Sequence, residues 1–398
     1  MLQIYEKVPS KMATIMVTFD GGARAEGDKF SPGLAHMLEH MMFKGTETRT
    51  SIEIPREIAL LGGSTNAFTS NEMVSYFITV PYENLEQAMA ILSDITTNST
   101  FPEDEFLKER EVVLEEEAEG QASIDTFLWD SFAGDFFTGR LSSTVIGTKE
   151  SIEGFTLPEL KKFYKKFYSR RNAVVAMSSC LGKREAGKLM RKYFGRNSKN
   201  VAHNVPVYSP EYGGARQMNL TRPLIEHAYV WMCYPGRTYG TDNEAADSVM
   251  LSILGSGMDS RLFENIREKH GLCYGIHAGG VAFRDQGSIV INSSTRAENV
   301  DKLVGLVNDE VEKMQNELIT EEELLRSQNQ FRAQTYSLAE NSKSAVSWAT
   351  KRAFFGLSDI DAVSEGVAAL TREDIRESAQ RYFDREKELL MVVRPEES

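Results

Sequence analysis

The sequence predicts an α+β protein with two homologous domains, each a mostly antiparallel sheet with helices packed on it. The chain has 398 residues, which is long for one typical domain and comfortable for two. Stretches with a period of two residues and stretches with helical spacing are mixed rather than strictly alternating, which favours an α+β fold. Several segments also recur half a chain apart with the same pattern, which indicates that one domain was duplicated.

The spacing of apolar residues in the first half of the chain predicts where its main strands and helices lie. The segments MATIMVTF and MVSYFITV alternate like strands. Residues 31–44, 83–98 and 102–125 have helical spacing. In the segment KKFYKKFYSRR, residues 161–171, the aromatic residues recur at helical spacing, so we expect the rings in the core and the lysines in water.

Two pairs of segments carry the argument for duplication. TLPELKKFYKKFYSRRNAVVAM begins at Thr156 and TREDIRESAQRYFDREKELLMV begins at Thr371, and each predicts a capped helix, a charged turn and an apolar strand. FPEDEFLKERE, from Phe101, and LITEEELLRSQ, from Leu318, both begin a long helix with an acidic first turn, which suits the helix dipole. The repeated unit would have about 200 residues.

A change of composition marks the boundary between the two copies. The segment NSKNVAHNVPVYSPEYGG, residues 197–214, interrupts the periodic pattern with Asn, Ser, Pro and Gly. We therefore predict a first domain at residues 1–200, a linker at residues 201–215 and a second domain at residues 216–398.

The composition argues against several classes of function. A formal net charge of −13 disfavours nucleic acid as the main partner. No window approaches the roughly 18 apolar residues of a membrane span, and the N-terminus lacks the pattern of a secretory leader. Cys180, Cys233 and Cys273 lie far apart and predict neither a disulfide framework nor a zinc knuckle, so we expect a cytoplasmic location and no membrane partner.

The motif GLAHMLEHMMFKGT, residues 33–46, contains two of the six histidines of the chain. His36 and His40 are four residues apart, so both imidazoles lie on one helix face and can reach one metal ion. Glu39 borders the same face and can accept a proton from water. The order H-x-x-E-H is the inverse of the common zinc-protease motif and is known as the inverzincin signature.

A catalytic zinc site needs a third protein ligand, which we expect on the acidic helix EFLKEREVVLEEEAEG. Glu109 and Glu116 are two helical turns apart and share a face, whereas Glu115 and Glu117 point elsewhere. Spacing alone does not select Glu116 from its neighbours.

These motifs resemble those of the pitrilysin and mitochondrial-processing-peptidase family of zinc metallopeptidases, in its short two-domain bacterial type. In that family, H-x-x-E-H is followed on a later helix by a glutamate that completes the zinc site. The resemblance implies one Zn²⁺ per chain, bound by His36, His40 and Glu116, with Glu39 as the general base. It also implies that Glu109 is a second carboxylate that supports the site by orienting the metal ligands.

The resemblance covers most of the chain. GGSTNAFTSNEMVSYFITVP is similar to the substrate-pairing strand of the family, which implies that Asn66 and Ala67 face an extended peptide. LGSGMDSRLFENIREKHGLCYGI is similar to a second signature, which implies that Arg267 and Tyr274 hold the substrate carbonyl near zinc. The chain departs from the family at its short N-terminus, which leaves little room for a strand before residue 11.

The resemblance implies a zinc metalloendopeptidase that cleaves unfolded peptides, leader peptides or presequences. The first domain would bear zinc, and the second domain, which lacks the zinc motif, would contribute Arg267 and Tyr274. A homodimer that encloses a chamber is implied as well. The alternative is a non-catalytic or partner-dependent subunit of a heterodimeric processing peptidase, and a zinc hydrolase of a non-peptide substrate is a further rival.

Overall fold

The structure is a computed structural model that describes residues 1–203, 205–241 and 243–396. It divides into two compact units. The first comprises Met1–Val207 and Tyr336–Leu357, and the second comprises Tyr208–Thr335 and the chain from Ser358 onward. The division after Val207 falls inside the predicted linker, of which residue 204 lies outside the described residues. The predicted boundaries placed residues 336–357 in the second domain, and this is corrected, because these residues pack with the first unit.

The first half of the chain forms five strands together with helices of five to twenty residues. In chain order they are β1 (Leu2–Lys7), β2 (Met12–Phe19), α1 (Leu34–Met41), α2 (Glu53–Leu60), β3 (Ser64–Thr69), β4 (Val74–Pro81), α3 (Leu85–Asn98), α4 (Glu103–Ala122), α5 (Ile124–Phe136), α6 (Lys149–Glu153), α7 (Leu157–Phe167), β5 (Ala173–Ser179) and α8 (Lys183–Phe194). Short 3₁₀ turns lie at Ala23–Glu26, Tyr82–Asn84, Gly139–Ser142 and Arg170–Asn172.

The second half repeats this alternation of strands and helices. Its elements are β6 (Arg216–Arg222), β7 (Ala228–Pro235), α9 (Glu244–Gly255), a π-helix (Phe263–Lys269), β8 (Cys273–Ala282), β9 (Gly287–Thr295), α10 (Val300–Asn316), α11 (Glu321–Glu340), α12 (Ser342–Phe355), α13 (Ile360–Ala368), α14 (Arg372–Tyr382) and β10 (Leu389–Pro395). Short 3₁₀ turns lie at Ala297–Asn299 and Arg385–Lys387.

The strands of the first unit form one sheet in the order β1-β5-β2-β4-β3. β1 pairs in parallel with β5, with Leu2 opposite Val174, and the other neighbours are antiparallel. β1 corrects the expectation that the N-terminus has little room for a strand before residue 11. The six-residue strand forms there because it pairs with one edge of β5, while β2 pairs with the other edge. β3 forms the opposite edge of the sheet.

Helices cover both faces of this first sheet. Apolar side chains of β2 and β4 such as Ile15 and Ile78 share one core with α1, α3 and α7. On α7 the rings of Phe163 and Phe167 are buried and the lysines are exposed, as the spacing predicts. The other face is covered by α12, whose Val346 packs with Met16 and Phe77. This contact is the physical reason why residues 336–357 belong to the first unit.

The second unit contains its own sheet, in the order β6-β10-β7-β9-β8. β10 pairs in parallel with β6, and the remaining pairs are antiparallel. Its core joins residues of β7 and β9 to residues of α9, α10 and α14.

When the strands of each half are matched in chain order, the two sheets have the same order. The matched helices α7 and α14 also begin alike, because Thr156 and Thr371 each accept a hydrogen bond from the backbone N–H three residues later. The predicted fold class is therefore confirmed. Within the described ranges, no helix has both the length and the apolar character needed to cross a membrane.

Candidate metal centre

α1 has one apolar face and one polar face. Its residues buried in the core are Leu34, Ala35, Met37, Leu38 and Met41. This packing leaves His36, Glu39 and His40 only partly buried, on the side of the helix that faces away from the core.

The start of α1 is fixed by a carboxylate from outside the helix. The backbone N–H of Ala35 donates to Glu26 Oε1 at 2.9 Å, and Glu26 Oε2 accepts from Arg140 Nη2 at 2.5 Å. Gly33 precedes the helix with a φ of 90°, and a Cβ there would lie 2.1 Å from the carbonyl oxygen of Ile146. The chain therefore enters the helix in a closely packed and buried turn at Gly33, three residues before His36.

Three side chains converge beside α1. His36, His40 and Glu116 offer ligand atoms that all lie within 4.8 Å of one another. His36 Nε2 is 3.8 Å from Glu116 Oε1, and His40 Nε2 is 3.5 Å from Glu116 Oε2. Ligands of a tetrahedral zinc ion lie roughly 3.3–3.6 Å from one another. No other such group of three converges among the residues that the structure describes.

The chemistry of this group fits zinc. Two imidazoles and one carboxylate are a ligand set of catalytic zinc sites. Burial and the neighbouring His40 lower the pKa of His36 to about 4, so its ring is neutral at pH 7 and offers a lone pair. Its Nδ1 is buried and has no hydrogen-bond partner in the described ranges, which leaves Nε2 as the atom facing Glu116. The Glu116 side chain is 49% exposed, so water can reach the group.

Glu109 orients the second histidine. Its Oε2 lies 3.1 Å from His40 Nδ1, and its Oε1 lies 2.5 Å from Lys44 Nζ. Burial disfavours the charged form of Glu109, but the hydrogen bonds from His40 and Lys44 hold its pKa below the usual value. A carboxylate can only accept, so His40 carries its proton on Nδ1 and presents the lone pair of Nε2 toward Glu116.

The surroundings of His40 favour a positive charge. Burial opposes it, but the hydrogen bond to Glu109 and the charges of Glu116 and Glu39 together raise the pKa of His40. A proton and a metal ion compete for the same lone pair on Nε2. The negative groups that favour the proton would therefore favour a metal cation as well.

Glu39 lies beside the three converging side chains and is held by a strand residue. Its Oε2 accepts a hydrogen bond from Thr69 Oγ1, at the end of β3. Burial raises the pKa of Glu39, while the bond from Thr69 and the charge of His40 act in the opposite direction. A carboxyl group whose pKa is raised is better matched to proton transfer near neutral pH.

A cleft extends from Glu39 and His40 along β3 to Asn66 and Ala67. β3 is an edge strand, so one side of its backbone has no partner strand among the described residues. The backbone N–H of Ala67 donates to Asn66 Oδ1 at 2.8 Å. The residues predicted to pair with substrate thus lie on an open sheet edge beside Glu39, and peptide binding by them stays a prediction.

The second unit contains the other two residues that the resemblance singled out. Arg267 belongs to the π-helix, and Tyr274 lies near the start of β8, where the pairing with β9 is irregular. The guanidinium carbon of Arg267 lies 5.1 Å from the centroid of the Tyr274 ring, which is a cation–π contact. Tyr274 is 87% exposed. The structure brings these two side chains together with each other, and their action on a substrate stays a prediction.

Sequence reasoning missed three residues of this centre: Glu26, Lys44 and Thr69. Lys44 follows His40 by four positions, so the i, i+4 rule applied to the predicted helix over residues 31–44 could have placed it on the same side, although α1 ends at Met41. Glu26 and Thr69 reach α1 through tertiary contacts, and no local spacing signals either contact.

Comparison with known proteins identifies the family of the chain. Residues 3–149 match the family model described as insulinase, peptidase family M16, and residues 154–331 match the model described as peptidase M16 inactive domain. An uncharacterized zinc protease of Rickettsia bellii is 32% identical over 305 residues, which cover 76% of this chain and 72% of that protein. An uncharacterized zinc protease of Streptomyces coelicolor is 27% identical over 404 residues, covering 98% and 86%.

Solved structures have the same fold. A protease from Helicobacter pylori superposes with a TM-score of 0.90 at 23% identity, covering 99% of this chain and 97% of that one. A peptidase M16 inactive domain from Pseudomonas fluorescens superposes with a TM-score of 0.90 at 20% identity, covering 100% and 96%. The resemblance noted from the motifs is confirmed, and the chain belongs to peptidase family M16, in its short two-domain form.

Proposed function

We propose that the protein is a zinc-dependent endopeptidase that cleaves unfolded peptides, including leader peptides and presequences. The observation that carries this proposal is the convergence of His36, His40 and Glu116 beside Glu39. A general base and an open metal site are both needed to activate water for attack on a peptide bond.

The residues of the first unit would divide the work as follows. His36, His40 and Glu116 would hold one zinc ion, which when bound makes water a better nucleophile at neutral pH and polarises a carbonyl group. Glu39 accepts a proton from the attacking water and returns it to the nitrogen of the leaving amine. Glu109 keeps His40 in the tautomer that presents Nε2.

The open edge of β3 supports a peptide substrate. An extended chain can add to a sheet edge through main-chain hydrogen bonds, which depend little on side-chain identity. Asn66 and Ala67 would form such bonds beside Glu39. An extended and broadly recognised substrate is an unfolded peptide rather than a folded protein.

Arg267 and Tyr274 would stabilise the negative oxygen that forms when the carbonyl is attacked. Donors aimed at a developing oxyanion contribute strongly to acyl-transfer reactions. This assignment rests on the family signature in residues 254–276 and on the pairing of the two side chains with each other.

We also propose that the chain works as a homodimer in the cytoplasm. The homodimer rests on the family resemblance. Light scattering of the purified chain tests it, and a monomer at working concentration would contradict it.

The cytoplasmic location rests on three free cysteines, Cys180, Cys233 and Cys273. Cell fractionation tests it.

The decisive experiment compares the wild type with Glu39→Gln by zinc analysis and by cleavage of a mixed set of quenched peptides. We expect one zinc ion per chain in both proteins and cleavage by the wild type alone. The Gln side chain keeps the shape of Glu39 but cannot accept the proton. A Glu39→Gln variant with wild-type rates would refute the role of this residue.

The second candidate function is a partner-dependent or non-catalytic subunit of a processing peptidase. It is favoured by one observation, the match of residues 154–331 to a domain described as inactive. Zinc binding by the wild type without cleavage of any peptide would support this candidate and contradict the self-sufficient enzyme.

A further inference from the structure

We propose that Thr69 is a positioning residue for Glu39: its hydroxyl holds one oxygen of the carboxylate and leaves the other oxygen free to meet water. This inference rests on the proposed function of Glu39 and adds a residue that the family motifs did not indicate. It concerns the orientation of the base rather than the metal ligands.

The first support is that the contact is exclusive. Thr69 Oγ1 donates to Glu39 Oε2, and no other described residue donates a hydrogen bond to this carboxylate. A carboxylate on a flexible side chain needs a fixed donor to keep one orientation, since its last torsion is otherwise broad. With Oε2 engaged, Oε1 is the oxygen available to accept a proton.

The second support is that several hydrogen bonds hold the backbone next to Thr69. The residues after it form a tight turn, in which Ser70 N–H donates to the carbonyl of Met73 at 2.9 Å and Met73 N–H donates to Ser70 Oγ at 3.1 Å. The carbonyl of Ser70 also accepts from Ala23 N–H at 3.0 Å. Threonine is branched at Cβ and has restricted χ1 rotamers, so a fixed backbone fixes its hydroxyl.

The third support is the position of Thr69 at the end of β3, between the open edge of the strand and a closely packed turn. Before Thr69, Asn66 and Ala67 lie on the open edge of the sheet. After Thr69, the backbone of the turn packs against Gly22, where a Cβ would lie 2.3 Å from the carbonyl oxygen of Ser70. Thr69 is therefore the last residue of the strand that would pair with substrate, and it directly precedes the closely packed turn at Ser70. The strand that would bind the peptide also orients the base.

The test compares the wild type with Thr69→Val, Thr69→Ala and Thr69→Ser in the zinc-loaded protein. For Thr69→Val and Thr69→Ala we expect kcat to fall by about 10–100-fold, as for other residues that orient a catalytic group, with KM and zinc content unchanged. Thr69→Ser keeps the hydroxyl and should recover most of the rate. A purely structural role would instead raise KM or lower stability, and serine would not rescue it.

A matched control is Thr18→Val. Thr18 lies on β2 of the same sheet, and its hydroxyl lies 2.8 Å from Ser75 Oγ without contacting Glu39. It should keep the wild-type kcat. Wild-type kcat in both Thr69→Val and Thr69→Ala would overturn the proposal.

Crystal structures supply a readout that does not depend on activity. We expect one orientation of the Glu39 carboxylate in the wild type and Thr69→Ser, and more than one in Thr69→Val. If the wild type cleaves no peptide, the proposed function fails, and this comparison still decides the role of Thr69. The same single orientation in all three proteins would refute it.

Discussion

The first and second sheets have five strands in the same order, but among the residues that the structure describes a candidate metal centre lies beside the first sheet alone. α1 and α9 both follow the second strand of their sheet, and α1 contains LAHMLEHM whereas α9 contains EAADSVMLSILG, without histidine. The seventh and fourteenth residues of α4 are Glu109 and Glu116, and those of α11 are Ser327 and Gln334.

This difference teaches that a few side chains, rather than the fold, carry the chemistry. The two sheets share their strand order, and each packs against an apolar core of its own. Side chains on the face away from the core are free to change. The following substitutions test that division of roles, from the largest expected effect to the smallest.

Removing a ligand should have the largest effect. His36→Ala and His40→Ala should each abolish peptide cleavage and zinc binding, because two ligands do not hold the ion at a catalytic site. A chelator should do the same to the wild type, and added zinc should restore activity. His227→Ala, an exposed histidine of the second half, is the control. Zinc bound at full occupancy in His40→Ala would contradict the assigned centre.

Substitutions in the second unit should have the next largest effect. Arg267→Ala and Tyr274→Phe should lower kcat/KM by about 10²–10³-fold, as for loss of an oxyanion donor, with zinc content unchanged. Arg385→Ala, an exposed arginine of the same unit, should retain the wild-type rate. Full activity in both variants would show that neither Arg267 nor Tyr274 takes part in the reaction, which would sharpen the contrast between the halves.

Glu109→Gln should weaken zinc binding by about 10–100-fold, the usual cost of removing a group that orients a ligand. The amide lacks the charge that pairs with Lys44 and holds the proton of His40 on Nδ1. Competition with a fluorescent chelator measures the affinity. Glu115→Gln on the same helix is exposed and should bind zinc like the wild type. Equal affinity in the two variants would remove Glu109 from the centre.

Paired cap substitutions should have the smallest effect. Thr156→Ala and Thr371→Ala each remove a helix cap, which costs about 1 kcal/mol of unfolding free energy. The loss should be larger at Thr371, which forms a reciprocal capping box with Asp374. Thermal unfolding of the two variants measures the difference. A larger loss at Thr156 would contradict this account of the two caps.

Local spacing was enough to predict part of the centre. His36 and His40 are on one helix face whatever surrounds the helix, so their pairing could be predicted from sequence. The choice of Glu116 could not, because several acidic residues of α4 were available. Resemblance selected it, and the structure places its carboxylate 3.5 Å from His40 Nε2.

Contacts between distant segments were the part that sequence could not supply. The bond between Thr69 and Glu39 depends on how β3 lies beside α1. β1 forms because Leu2 meets Val174, far along the chain. α12 packs on the first sheet although its sequence lies in the second half. Helical spacing predicts that α12 buries a face, but not which sheet receives it.

The Ala67 N–H, in the edge strand β3, donates its hydrogen bond to the side chain of Asn66. A bare row of donors would attract any extended strand, including another copy of the chain, and would promote aggregation. A peptide that paired with β3 at this point would have to displace the Asn66 side chain, so the net gain from this one hydrogen bond would be small. We would therefore expect a bound peptide to leave readily, and pairing with a second copy of the chain to gain little at this position.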